Sequence, residues 1–253
     1  MRALRALSVV AVISAALLAG CGKKTARAHV PPPPAPAPVP SSRTEDTTAS
    51  APAKGAPTPS TEPTWEAQYR NRKPIYSETG VASWYGTVYH HRKAANGEIY
   101  DQNGLTAAHK ALPLNSVARV TNLSNGKDVI VRITDRGPFV GDRIIDLSVA
   151  AAKEIGSYGP GLANVRVDVL DSPKDIASGG RWCVQIGAFK SVDEAAELKD
   201  KLSRRYRTAK ILQFTGPTGE WIRVRVLDDD KHRAAELAKD TKTSEGVFLV
   251  RLD

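Results

Sequence analysis

The chain has 253 residues, with 36 Lys or Arg against 27 Asp or Glu and a formal net charge of +9. That excess suits an acidic polymer as partner, and the export signal described next argues against nucleic acid and for the acidic polymer of a cell envelope. Two cysteines are too few for a disulfide framework, so folding has to rest on apolar cores.

Residues 1–20 have the three parts of a secretory signal. Arg2 and Arg5 give a positive start, residues 9–18 an apolar run, and Leu18-Ala19-Gly20 a small-residue exit before Cys21. The apolar run is short for a bilayer span. Leu18-Ala19-Gly20-Cys21 resembles the bacterial lipobox, which implies that Cys21 is lipidated, and Gly22 rather than Asp after it implies the outer membrane. Each buried methylene of such an anchor contributes about 0.8 kcal/mol, so several acyl chains hold for a long time. Cys183 is then the one remaining thiol, expected as a small packed residue in a strand.

Residues 21–79 are rich in Pro, Ala, Ser and Thr, including Pro31-Pro32-Pro33-Pro34, and are expected to form a disordered, extended tether. Two hydrophobic, Gly-punctuated segments follow, residues 80–170 and 181–253, joined by a linker over 171–180. Each is long enough for one small domain.

The first segment reads as mainly β. Val117-Ala118-Arg119-Val120-Thr121-Asn122-Leu123 alternates, Ser124-Asn125-Gly126-Lys127 is a hairpin signal, and Val129-Ile130-Val131-Arg132-Ile133-Thr134 resumes the strand. Residues 148–155 predict a short helix, with Ser148 near its start and Gly156 just past its end. Short strands, many glycines and one helix suggest a closed barrel. Thr134-Asp135-Arg136-Gly137-Pro138-Phe139 runs a strand into a turn, a geometry that can hold a carboxylate at the mouth of a groove.

Ala82-Ser83-Trp84-Tyr85-Gly86, Ala95-Asn96-Gly97-Glu98, Thr106-Ala107-Ala108-His109-Lys110-Ala111-Leu112-Pro113-Leu114-Asn115, Asp135-Arg136-Gly137-Pro138-Phe139 and Ile145-Asp146-Leu147-Ser148 together resemble the rare lipoprotein A (RlpA) family. The resemblance covers the whole chain and implies a double-psi β-barrel of the barwin and expansin type. It also implies a lytic transglycosylase that cuts peptidoglycan strands lacking stem peptides, between N-acetylmuramic acid and N-acetylglucosamine, leaving a 1,6-anhydro end. The family's functional trio falls on Glu98, His109 and Asp135. Such chemistry needs one carboxyl that protonates the leaving oxygen and then takes the proton of the sugar's C6 hydroxyl.

Asp135 is the favoured acid/base, with Glu98 as a neighbouring like charge or transition-state stabiliser, and the two roles remain exchangeable. His109 is expected to hydrogen-bond to either acid or to the sugar. Asp146 is expected to order the barrel, and Trp84 or Tyr85 to stack on a sugar or fill the core. His90 and His91 are adjacent and would face opposite ways in a strand, so no metal is expected there, and the resemblance implies no cofactor.

The last segment predicts the order βαββαβ, an α+β sandwich with helices on one sheet face. Trp182, Val184 and Ile186 alternate; Ser191 and Glu194 make a capping box; residues 209–214 and 221–226 flank a turn at 216–219; Asp228 to Asp230 start a second helix; residues 247–252 close the sheet. Val184-Gln185-Ile186-Gly187-Ala188-Phe189 and Ile222-Arg223-Val224-Arg225-Val226 resemble the SPOR signature, which implies binding to denuded peptidoglycan at the division septum, near septal division proteins. The period of two puts Trp221, Arg223 and Arg225 on one face with Gln185, as candidate glycan-binding residues. The same element order occurs in RNA-binding modules, but their aromatic strings are absent. A non-catalytic wall-binding lipoprotein stays open as the alternative to the enzyme.

Overall fold

The computed structural model describes residues 64–253, so Cys21 and the signal and tether up to residue 63 lie outside the described residues. Ordered structure begins earlier than the composition suggests. Trp65–Tyr69 forms a 3-10 turn, and strand β1 covers Tyr76–Trp84, where a barrel start at residue 80 was expected. Tyr69 packs against Val117, Ile130 and Leu170, an aromatic contact that the surrounding proline-rich composition hides.

Strands β1, β2 (Thr106–His109), β3 (Val117–Asn122), β4 (Asp128–Asp135), β5 (Arg143–Leu147) and β6 (Ala163–Asp171) close into a barrel in the order β1-β5-β2-β4-β3-β6. The β1/β5 and β2/β4 pairs are parallel and the others antiparallel. Alternation explains the closure: Val129, Val131 and Ile133 on β4, Ile145 and Leu147 on β5, and Val165, Val167 and Val169 on β6 all point into one core. A fully buried Val, Leu or Ile contributes about 1.5–3 kcal/mol relative to exposure, so these strands carry the barrel's stability.

Helix α1 (Val149–Glu154) closes one end of the barrel. Ser148 caps it, its hydroxyl accepting from the Ala151 amide at 3.2 Å. Trp84 closes the barrel too: its indole donates to the Tyr158 carbonyl at 3.1 Å and its ring stands 4.6 Å from Tyr158. It is a core-covering residue in this arrangement.

The C-terminal domain contains β7 (Trp182–Phe189), α2 (Val192–Arg205), β8 (Lys210–Gly216), β9 (Gly219–Arg225), α3 (Lys231–Asp240) and β10 (Gly246–Arg251), in the βαββαβ order read from the sequence. Its sheet runs β10-β7-β9-β8 with every pair antiparallel. Val184, Ile186, Ile222 and Val224 line one face, against Ala195 and Leu202 of α2 and Ala234 and Leu237 of α3. Ser191 caps α2 through the amides of Asp193 and Glu194. The second helix starts at the last residue of the expected Asp228–Asp230 stretch. Residues Leu227–Asp229 form a 3-10 turn with Asp228 at φ 61°, and Asp230 is the cap, accepting from Arg233 N at 2.8 Å. Cys183 is fully buried in β7, and burial pushes its thiol up to about 11, which keeps it a packed, unreactive side chain.

Candidate active site

The register of four strands lines up one row of residues. Ser83 on β1 pairs with Asp146 on β5, Asp146 with Ala108 on β2, and Ala108 with Asp135 on β4. Neighbouring strands are about 4.8 Å apart, so the two aspartates sit roughly 10 Å apart at their Cα atoms, with one methyl group between. The β2/β4 pairing slips at this point: Ala107 faces Ile133 but Ala108 faces Asp135. The slip matters because Ile133 points into the core and Asp135, two residues on, would follow it without the irregularity.

Asp135 is fixed by one oxygen. Its Oδ1 accepts from the Arg136 amide at 2.8 Å and the Ala95 amide at 3.1 Å, while Oδ2 has no protein partner among the described residues. Burial raises its pKa above the ordinary carboxylate value, and this outweighs the opposing pull of the two amides and the Arg136 charge. Tyr85 and Tyr100, with ring centroids 4.4 Å apart, feel the Asp135 charge, and burial pushes both phenols up. Tyr85 is therefore part of the wall beside Asp135. Burial raises the Tyr89 phenol, and the charges of Asp146 and Asp135 add to that rise.

Asp146 is held at both oxygens, by the Ser83 hydroxyl at 2.7 Å and by Arg143 at 3.3 Å. Its pKa is also raised by burial despite those partners and Lys110. Lys110 donates to the carbonyls of Pro138 and Arg143, joining the turn after Asp135 to the start of β5.

Glu98 takes a different position from the one expected. It makes a two-pronged pair with Arg132, both N–O distances 2.7 Å, on the surface three residues before Asp135. The Arg132 hydrogen bonds hold its carboxyl below the usual range. The rise at Asp135 comes from burial, and Glu98 is not among the charges that shift it. What the pair does is dock residues 94–98 onto β4: Ala94 N donates to the Glu98 carbonyl at 2.8 Å and Asn96 N to the Thr134 carbonyl at 3.0 Å, which presents the Ala95 amide to Asp135.

His109 also departs from expectation. Its Nε2 lies 2.7 Å from Glu78 Oε1, and its Nδ1 accepts from the Ala111 and Leu112 amides at 3.1 and 2.9 Å. Two donors on Nδ1 leave Nε2 as the protonated nitrogen facing Glu78. The ring bonds neither Asp135 nor Glu98, because it follows Ala108 on β2 and so turns to the other side of the strand. Its side lines a cavity of about 710 Å³ with Tyr76, Glu78, Trp182 and Lys231.

His90 and His91 lie in a turn and not a strand, His91 at φ 63°, with their rings stacked at 3.8 Å. On the C-terminal sheet, Gln185, Trp221, Arg223 and Arg225 share the face opposite the helices, since Gln185 pairs with Arg223. They are not laid open there. Trp221 is 5% and Gln185 4% exposed. Arg223 donates to Gln185 Oε1 at 2.9 Å, and Arg225 is paired with Asp229.

Sequence reading missed Glu78, Tyr89 and the placement of Asp146. Glu78 fell in the stretch assigned to the tether. Asp146 carried a signal, being the one acid inside the alternating strand Arg143–Leu147.

The family model described as "Lytic transglycolase" matches residues 77–167, and the SPOR domain model matches residues 178–250. The endolytic peptidoglycan transglycosylase RlpA of Campylobacter jejuni is 38% identical over 199 residues, covering 68% of this chain and 71% of that relative. The chain belongs to the RlpA family. The RlpA of Pseudomonas aeruginosa strain PAO1 is 58% identical over 106 residues, 42% of this chain and 31% of its own length. That of Vibrio cholerae is 38% identical over 162 residues, 61% of this chain and 62% of its own. The chain thus spans between about a third and about seven-tenths of these RlpA relatives.

Proposed function

We propose that the chain is an endolytic peptidoglycan transglycosylase in which Asp135 is the acid and the base. The observation that carries this reading is the state of Asp135: anchored at Oδ1 by two amides, without a partner at Oδ2 among the described residues, and raised in pKa by burial, which favours its protonated form. Protonated Oδ2 gives its proton to the glycosidic oxygen as the bond from C1 of N-acetylmuramic acid breaks. The C6 hydroxyl of the same sugar then bonds to C1, and its proton returns to Asp135. No water is consumed, and the products are a 1,6-anhydro end and a free N-acetylglucosamine end.

In this reading Glu98 and His109 are positioning groups. Glu98, through Arg132, holds the loop that supplies the Ala95 amide. His109 stands against Glu78 and locks the end of β2 to the turn at residues 111–112. Asp146, two strands from Asp135, sets the far side of the row. The substrate is peptidoglycan, preferentially strands lacking stem peptides, and the C-terminal domain binds the same polymer on the sheet face that carries Gln185, Trp221, Arg223 and Arg225. The lipobox supports attachment at Cys21 to the outer membrane, facing the periplasm, with enrichment at the septum.

Digestion of denuded glycan strands by wild type and Asp135→Asn, followed by mass spectrometry, tests the assignment. Wild type is expected to release anhydro-muramic products and the variant to bind strands without cutting them. Undiminished turnover by Asp135→Asn removes that residue from the chemistry.

A further inference from the structure

We infer that Arg136 is a positioning residue through which the C-terminal domain holds the cleavage carboxyl, so that this domain completes the barrel's active site. The inference rests on the reading of Asp135 as the acid/base.

Arg136 directly follows Asp135, and its amide is the closer of the two that hold Asp135 Oδ1. Its guanidinium reaches three main-chain oxygens on two pieces of chain, residues 109–112 and Asp253. One nitrogen donates to His109 at 3.0 Å and Leu112 at 2.7 Å, at the end of β2 and in the turn beyond it. The other donates to the carbonyl of Asp253 at 2.7 Å, past β10 in the C-terminal domain. Burial, with the nearby Arg251, lowers its pKa to about 10, so it stays charged at neutral pH. A planar fork that satisfies carbonyls on several sides at once is something a lysine does not reproduce.

The far end of the same turn is gripped by the same domain. The Phe139 ring packs 5.5 Å from Trp221 of β9 and 5.6 Å from Phe248 of β10. Backbone bonds fix the seat from the other side: Arg251 N donates to the Lys110 carbonyl at 2.9 Å. Residues 136–139 are therefore clamped at both ends by the C-terminal domain. A clamp whose purpose was only to hold two domains together would not need to close on the residue whose amide holds Asp135 Oδ1.

The test uses the chain with both domains, as Arg136→Lys and, remote from the scissile bond, Phe248→Ala, with kcat, KM and the pH profile on denuded strands. Arg136→Lys is expected to lower kcat at least tenfold with KM changed less than twofold. Its alkaline limb should move to higher pH, because an Asp135 carboxylate that loses a well-aimed amide holds its proton longer. Phe248→Ala is expected to shift the limb in the same direction with a smaller loss of kcat. A wild-type kcat and limb in Arg136→Lys, or a change confined to KM, overturns the inference. If Arg136→Lys does not fold, Phe248→Ala decides, and a wild-type profile there overturns it equally. The two readings separate cleanly: an active Asp135→Asn sinks the acid/base assignment, whereas an inactive Asp135→Asn beside unaltered Arg136→Lys and Phe248→Ala sinks only the clamp.

Discussion

Two aspartates in one row carry raised pKa values for the same reason, loss of water around a carboxylate, but their surroundings assign them different work. Asp135 has no partner at Oδ2 among the described residues, while Asp146 has both oxygens engaged by Ser83 and Arg143. Desolvation dominates each. A carboxyl whose folded pKa exceeds its unfolded one contributes stability that is complete below the unfolded value and is lost as pH rises through the folded value. Asp146→Asn is accordingly expected to lessen the fall in melting temperature between acidic and neutral pH. An unchanged slope contradicts the burial argument. Cleavage should follow the same sign, failing on the alkaline side as Asp135 loses its proton.

His109 tests structure against chemistry at the same scale. Its ring satisfies two backbone amides and faces Glu78. Removing it leaves buried polar groups without partners, each costing about 1–3 kcal/mol. His109→Ala is expected to lower stability by a few kcal/mol in denaturant melts. Full stability with lost cleavage would place the imidazole in the reaction instead.

At the scale of elements, alternation and turn chemistry made most strands and helices legible, because each strand buries one face and each helix has a side-chain cap. Ser148 and Ser191 show this: both were readable as helix starts, and both accept backbone amides in the structure. Ser148→Ala should destabilise the barrel by about 1 kcal/mol in chemical denaturation. A neutral effect would mean that packing, and not the cap, sets the start of α1. What the sequence did not disclose was register. Asp135 and Asp146 share a row only because β2 lies between β4 and β5, and the slip at Ala107–Ala108 is invisible in a pattern of apolar and polar residues. The partners of Glu98 and His109 were hidden for the same reason, since Arg132 was read as part of a strand and Glu78 as part of a tether.

For the whole molecule, the C-terminal sheet face is the point where sequence and structure part most. Period-two reasoning put Gln185, Trp221, Arg223 and Arg225 together correctly, yet it had no means of showing that Phe139 of the barrel packs on Trp221. Phe139 covers Trp221, so a strand held by this face with the turn still seated meets the partly exposed Arg223 and Arg225. Binding of denuded strands should therefore leave acrylamide quenching of Trp221 unchanged, read as the difference between wild type and Trp221→Phe. A rise in quenching on binding would mean that the strand displaces Phe139 and opens the seat of the turn after Asp135. Above all of this stands the claim that a single carboxyl breaks the glycosidic bond and closes the anhydro ring without water. Digestion of denuded strands in water enriched in oxygen-18 tests that claim directly. The muramic products are expected to carry the anhydro mass and no heavy oxygen, whereas incorporation of one heavy oxygen per cut would show hydrolysis and contradict the account.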